Sequence, residues 1–538
     1  MKRYKTILAT MLSAAVALAS CDYTDLEPTD MVGPEKAFGT VENVHKAVVG
    51  IYGKVSLRSK LAITEYIADD CVQGGDSGGA GTDLTNWVYT ATSGDVSGIW
   101  SHYYGIINQA NRVLYYGPEV EPANESEEAS LQESFGTAYF FRAYAHFELL
   151  CFFSDFMDDE AKGIPYVSHY HVVGNPSREP VGDCYEQIMT DLNRAYEMLS
   201  VEAPDLSADL TASNSTAYIS RATVDALRAR VALYHGLYSQ AYIYATNALR
   251  AVPIAKKDEV QNVWLDKSNA GVIFQLSRPA GSATIGTLFV GGDYSSIFRP
   301  SSDLREQYAE TDIRASVFLE YGRDRAGSPV WMVKKWFGDA SDIGRVDEKM
   351  FRAEEMQLIA AEALARRENP DMTEANRLLN ELRAQRHEEY TSQDYPSQSA
   401  FMTEIAKERR LELVWEGHRM FDARRLNLTM SREGKSITAL NLAISFTEAE
   451  NRVLLMDCDL RRPKLARLLR KSSRVGLSNL LLDPSLLNEV VIPSGIERLD
   501  VILSGDIPPN PSELLASDRM KRFVEECAKR YDYVIIDT

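Results

Sequence analysis

From residue 31 to about 428, apolar positions recur at spacings of three and four, the mark of amphipathic helices. Residues 226–249 form the clearest unit. Ala226, Ala229, Val231, Leu233 and Tyr234 line one helix, Gly236 interrupts it, and Tyr238, Ala241, Tyr242, Ala245 and Leu249 line the next. Small residues where two helices meet, a glycine turn and aromatics in the groove predict a tetratricopeptide-like pair. Similar helices are expected over residues 133–153, 184–199, 351–367 and 373–386. They share no strict period. The expected fold class is mainly α: an irregular helical scaffold with tetratricopeptide-like pairs and loop or short-strand insertions, followed by a partial α/β segment.

The insertions break this rhythm. Residues 69–100 (DDCVQGGDSGGAGTDLTNWVYTATSGDVSGIW) are too rich in glycine for a core helix, while 274–300 and 330–337 alternate like short strands and loops. Loops of this length in a compact domain are usually functional or disordered. Trp87 and Tyr89 in the first, Tyr294 and Phe298 in the second, and Trp331 and Trp336 in the third are candidates for a stacking platform. Sugar rings lie with their C–H faces on aromatic rings, while Asp, Asn and Arg bind the hydroxyls; Asp70 is one candidate. Packing beneath the loops is the alternative for each aromatic.

The start of the chain carries an address. Lys2, Arg3 and Lys5 precede an apolar stretch, residues 7–19, too short to span a bilayer, and Leu18-Ala19-Ser20-Cys21 closes it. This is the pattern of a bacterial lipoprotein signal (1–21), with Cys21 as the lipid acceptor and 22–30 as a polar tether. An ordinary secretory signal with an incidental cysteine is the alternative. No later run of about 18 apolar residues occurs, so the expected chain is anchored to a membrane and does not span it.

Charge and cysteines narrow the chemistry. The net charge of −19 argues against nucleic-acid binding. Residues 433–538 hold 15 basic and 16 acidic side chains, so almost all the acid excess lies upstream. Cys71, Cys151, Cys184, Cys458 and Cys527 show no CxxC spacing and the eight histidines no HExxH, which leaves zinc sites and disulfide frameworks without support. There is no GxSxG elbow and no local Cys/His signature.

Several blocks carry a resemblance: LEPTD (26–30), FRAYAHFELLCFF (141–153), YEQIMTDLNRAYEML (185–199), FRAEEMQLIAAEA (351–363) and above all ERRLELVWEGHRMFDARR (408–425). With the lipobox, they resemble the SusD/RagB family of nutrient-capturing outer-membrane lipoproteins of Bacteroidetes. The resemblance implies a helical scaffold under a loop-built binding face, oligosaccharide or less often peptide ligands, and a TonB-dependent porin that receives them. It extends to about residue 428. Glu408, Arg409, Arg410, Glu412, Glu416, His418 and Arg419 are expected on a helix at pairing distances; buried ion pairs are favoured there over a ligand site, and Arg142 and Glu362 belong to the same class.

From 429 to 538 the character changes. Gly434-Lys435-Ser436 ends a phosphate loop ahead of a helix, where backbone N–H groups cradle phosphates, lysine neutralises them and serine ligates Mg²⁺. RVLLMDCDLRRP (452–463) is a buried strand followed by Asp457 and Asp459, and YVIID (533–537) a second strand ending in Asp537. In this order the motifs resemble the bacterial tyrosine kinases of exopolysaccharide export, whose Walker A residues map to Lys435 and Ser436, second acidic motif to Asp457 and Asp459, and Walker B acid to Asp537. The departures count against activity. Thr429 stands where the loop's first glycine belongs, Arg432 stands in its Pro-Gly stretch, and 426–430 is the only candidate for the leading strand. The tail is expected to be an incomplete, catalytically inactive fragment, with ATP and Mg²⁺ relevant only if it works. An active kinase and a protein-binding tetratricopeptide-like scaffold are the alternatives to nutrient capture.

Overall fold

The computed structural model describes residues 33–170, 174–199, 216–278, 284–338, 343–428, 430, 435–448, 451–460, 463, 465–469, 471, 475–508 and 511–537. The signal, the tether, Cys21 and Gly434 lie outside them. Two compact units divide between Thr429 and Met430.

The first unit is an array of helix pairs. The Glu125–Phe153 helix packs beside Val181–Met198, Arg221–Tyr234 beside Tyr238–Ala251, and Ala353–Arg366 between Tyr238–Ala251 and Met372–Ala384. The predicted pair at 226–249 is present. Ser220 and Thr223 form a capping box at its start. Its first helix closes in a Schellman turn: Gly236 N donates to Leu233 O, Leu237 N to Ala232 O, and Gly236 has φ +80°. Two expectations change. Residues 348–352 form a strand, so the helix expected from 351 starts at Ala353. Residues 94–100, expected as loop, open the Gly94–Tyr116 helix, because Ile99, Tyr103, Ile106, Ala110 and Val113 bury one continuous stripe below the glycines.

Three small antiparallel sheets sit on this array. β1 (Cys71–Gln73) pairs with β3 (Phe298–Pro300), β2 (Val272–Leu276) with β6 (Glu348–Arg352), and β4 (Leu319–Arg323) with β5 (Pro329–Val333). Among the described residues no helix is long and apolar enough to cross a membrane, and the cysteines are free and buried.

The Glu/Arg-rich block is buried and ionic. It is not one helix: Gln398–Glu412 ends, a turn with Trp415 (φ 59°) and Gly417 (φ 81°) follows, and Arg419–Arg425 resumes. Glu412 receives Arg314, Arg352 and Arg386 at 2.9–3.1 Å. Burial alone would raise its pKa, but the three guanidinium groups outweigh that and hold it well below the carboxylate range. Arg425 pairs with Glu362 and Asp422, and Arg142 with Asp191. Removing one partner of such a pair strands a buried charge, at about 3–5 kcal/mol.

The second unit holds a four-stranded sheet in the order β10 (Tyr533–Asp537), β7 (Val453–Asp457), β9 (Leu499–Ile502), β8 (Val491–Pro493), parallel except for β8. The Lys435–Glu448 helix lies on β7 and β10. The strand expected over 426–430 is absent among the described residues. Instead Asn427 (φ 50°) caps the Arg419–Arg425 helix, with Leu428 N bonded to Ala423 O.

Candidate functional site

The ionic block fixes the root of the first glycine-rich loop. Arg419 grips Asp69 through two bonds of 2.7 and 2.9 Å, Arg410 Nε meets Asp70 at 2.7 Å, and Trp415 Nε1 lies 3.1 Å from Cys71 Sγ. Trp336 Nε1 donates to the Trp415 carbonyl at 2.8 Å. From this root β1 zips onto β3, and pairing continues past the strands: Gly74 N donates to Ile297 O (2.7 Å) and Ser296 N to Asp76 Oδ2 (2.8 Å). A Cβ at Gly74 would fall 2.0 Å from Ser296 O, so only glycine allows this approach. The loop bearing Trp87 and Tyr89 and the turn bearing Tyr294 are thus held together. The β4–β5 hairpin joins them through β3, and an Arg325–Asp293 pair at 3.4 Å ties its tip to the Tyr294 turn.

Two exposed aromatics stand in positions that glycine normally takes. Trp87 follows the short Thr82–Thr85 helix. Its N–H donates to Leu84 O, Val88 N to Asp83 O, and its φ is 58°. This is the Schellman turn in which Gly236 and Asn427 hold the equivalent place. Tyr294 closes a tight turn: Tyr294 N donates to Gly291 O and Gly291 N to Ser295 O, with φ 60°. The hairpin turn at 324–328 has the same two bonds, and there the left-handed residue is Gly327. A bulky residue in this conformation costs roughly 1–2 kcal/mol. Burial does not repay the cost, since Trp87 is 52% and Tyr294 41% exposed. Strain held under exposed rings makes Trp87 and Tyr294 candidates for a functional surface.

The hairpin supplies the third element. Trp331 is half-buried, faces its cross-strand partner Tyr321 at 5.1 Å, and carries the Arg305 guanidinium 5.2 Å from its ring centre. Tyr321, 61% exposed, was not among the sequence candidates. Its alternation with Trp331 across a hairpin was the available signal. Tyr89 is exposed on the first loop.

Three candidates do not belong to this surface. Asp70 is enclosed and held by Arg410. Phe298 is buried in a stack on Tyr66, with centroids 3.7 Å apart. Trp336 is buried against Trp264 and bonded to Trp415. Each fixes the base of a loop whose neighbouring residues face out.

In the second unit, Asp457 and Asp537 are register partners at the carboxyl ends of parallel β7 and β10. Burial, with Asp537 beside it, pushes Asp457 up to about 7. Its Oδ2 accepts from Leu465 N (3.2 Å), and its Oδ1 is enclosed without a hydrogen-bond partner. Two buried acids of this kind fit a divalent cation, and Asp457 and Asp537 would hold Mg²⁺ against a nucleotide's phosphates. Asp459 lies two residues past β7, and Lys435 and Ser436 open the helix that packs on the sheet.

Comparisons with known proteins match different parts of the chain to different families. Residues 23–224 match the SusD-like family described as starch-binding and associating with the outer membrane, 329–463 match the SusD family, and 433–538 match an AAA domain family. SusD-like protein P2 of Formosa agariphila is 26% identical over 488 residues, 80% of this chain and 91% of its own length. Tyrosine-protein kinase YwqD of Bacillus subtilis is 46% identical over 106 residues, and the Staphylococcus aureus putative tyrosine-protein kinase CapB 34% over 108. The chain spans 45% and 47% of those two kinases and 20% of itself is matched. A SusD superfamily protein from Bacteroides vulgatus superposes with a TM-score of 0.64 at 22% identity, covering 73% of this chain and 90% of that one. A SusD-like carbohydrate binding protein from the same species gives 0.61 at 20%, covering 74% and 85%. The chain is a SusD/RagB family protein whose C-terminal region resembles the bacterial tyrosine kinases.

Proposed function

We propose that this chain is a lipid-anchored outer-membrane protein that binds oligosaccharides on the surface formed by Trp87, Tyr89, Tyr294, Tyr321 and Trp331, and delivers them to a TonB-dependent porin. The observation that carries the reading is the pair of exposed rings in left-handed positions, Trp87 and Tyr294. Flat rings on rigid turns bind the apolar faces of sugars at low entropic cost, and Asp293, Arg305 and Arg325 around them offer partners for hydroxyls. The outer-membrane association in the family description and the carbohydrate-binding title of one structural relative support it. Calorimetric titration of the full chain with a panel of oligosaccharides and peptides tests it: saccharide binding that Trp331→Ala weakens is expected, and binding of peptides alone would overturn it.

The same reading makes the chain a binding protein and not an enzyme. Thr429 and Arg432 replace the small residues a phosphate loop curls on, and the outer membrane offers no ATP. Incubation with ATP and Mg²⁺ is expected to leave no phosphotyrosine; a signal abolished by Lys435→Ala would contradict this.

A further inference from the structure

A cleft of about 860 Å³ opens beside the loop that carries Trp87. Its walls include Arg58 at the start of the Arg58–Ile67 helix, the first turns of the Gly94–Tyr116 helix, and Asp76 and Ser77 of the loop itself. Among the described residues no ion pair joins the two cations that line it, Lys54 and Arg58, to a carboxylate, although Asp76 and Asp95 line it too. Lys54 is exposed, and the end of its side chain runs close over Gly105. Arg58 is half-buried, and its Nη1 donates to the Thr284 carbonyl and to Thr287 Oγ1 at 2.8 Å, both neutral acceptors. The fully buried Arg142, Arg230, Arg314, Arg352 and Arg419 meet carboxylates at 2.7–2.8 Å, while half-buried Arg58 shares its neutral surroundings with half-buried Arg221, on the Tyr196 carbonyl, and Arg305, over the Trp331 ring. His102 lines the same cleft, and its Nε2 is enclosed without a hydrogen-bond partner.

In a chain of net charge −19, two cations that join no ion pair among the described residues, and an unsatisfied imidazole nitrogen beside them, favour an anion in this cavity. We propose that this cleft takes an anionic substituent, a carboxylate or a sulfate ester, of the glycan whose rings lie on the adjoining aromatic surface, so that the chain's ligands are acidic oligosaccharides. The proposal rests on the platform reading above. Asp76, whose Oδ2 already accepts from Ser296 N, and Asp95, which lines the same cleft, suit hydroxyl groups around the charge.

Gly98 provides a probe, because a Cβ there meets nothing within 4 Å and a larger side chain can fill the cleft without displacing the protein. The full chain would be titrated with oligogalacturonate and its carboxyl-reduced counterpart, and with a carrageenan oligosaccharide and its desulfated counterpart. At least one acidic ligand is expected to bind about tenfold more tightly than its neutral partner, and the responding pair identifies carboxylate or sulfate. Lys54→Glu and Gly98→Phe are each expected to abolish that margin with circular dichroism unchanged. Equal binding within both pairs, or a margin that survives both variants, overturns the proposal. Neutral glycans bound in a Trp87-dependent way would then leave the platform standing, while loss of all saccharide binding would remove both.

Discussion

Replacing Trp87 by alanine and by glycine separates the cost of its backbone from the use of its ring. Both variants lose the same side chain, so their difference isolates the left-handed conformation at φ 58°. At an ordinary helical or extended position glycine is the less stable of the two by about 0.5–1 kcal/mol, because it loses more freedom on folding. Here alanine keeps a left-handed penalty of about 1–2 kcal/mol that glycine lacks. The sign therefore reverses, and Trp87→Gly should be more stable than Trp87→Ala by about 1 kcal/mol. For a domain of this size that is about 2 °C in Tm, and it should be larger in hydrogen exchange of the Trp87 and Val88 amides, which close the turn. Affinity for saccharide should fall equally in both variants, by about 2 kcal/mol or thirtyfold, as for an aromatic hot spot. A glycine variant less stable than the alanine variant would refute the strain argument. Unchanged affinity in both would refute the role assigned to the ring.

Three other outcomes follow from the same geometry. Arg419→Met should destabilise the first unit by about 3 kcal/mol in chemical denaturation, because the enclosed Asp69 carboxylate loses both of its bonds to Arg419; a loss below 1 kcal/mol would count against the anchoring of the loop root. Glu65 is buried next to Asp70 and its pKa is pushed up to about 8, against 4.5 in the unfolded chain. Between those values the folded state holds a proton that the unfolded state releases, so stability falls as pH rises from about 4.5 to 8, by at most ~1.4 kcal/mol per unit. Glu65→Gln should flatten that slope in denaturation curves, and an unchanged slope would exclude Glu65 as its source. In the second unit, Asp457 at about 7 acts in the same direction between 3.8 and 7. Asp457→Asn should raise that unit's thermal stability at pH 8 in the absence of divalent cations, and a lower midpoint would contradict the buried-acid reading.

The helical scaffold was legible because apolar and small residues dominate Ala226 to Tyr234, although that helix is buried on all sides and not along one face. The glycine-rich start of the Gly94–Tyr116 helix was not, since its buried stripe begins only at Ile99 and the residues before it are mostly exposed. For the site, composition identified the loops but not which rings face out. Phe298 and Trp336 have the same residue chemistry as Tyr294 and Trp331, yet one lies on the inner face of a strand and the other beneath a turn. Asp70 looked like a hydroxyl ligand because its partner, Arg410, is 340 residues away. The left-handed backbone at Trp87 and Tyr294, the feature that singles them out, has no signature in residue identity, as glycine is what such turns predict.

The most direct test of the central claim is a saccharide array probed with the full chain and with a Trp87→Ala/Tyr294→Ala double variant whose circular dichroism matches the parent. The account predicts that the parent binds a defined subset of glycans and that the double variant binds none of them. Retention of the same pattern by the variant would contradict it.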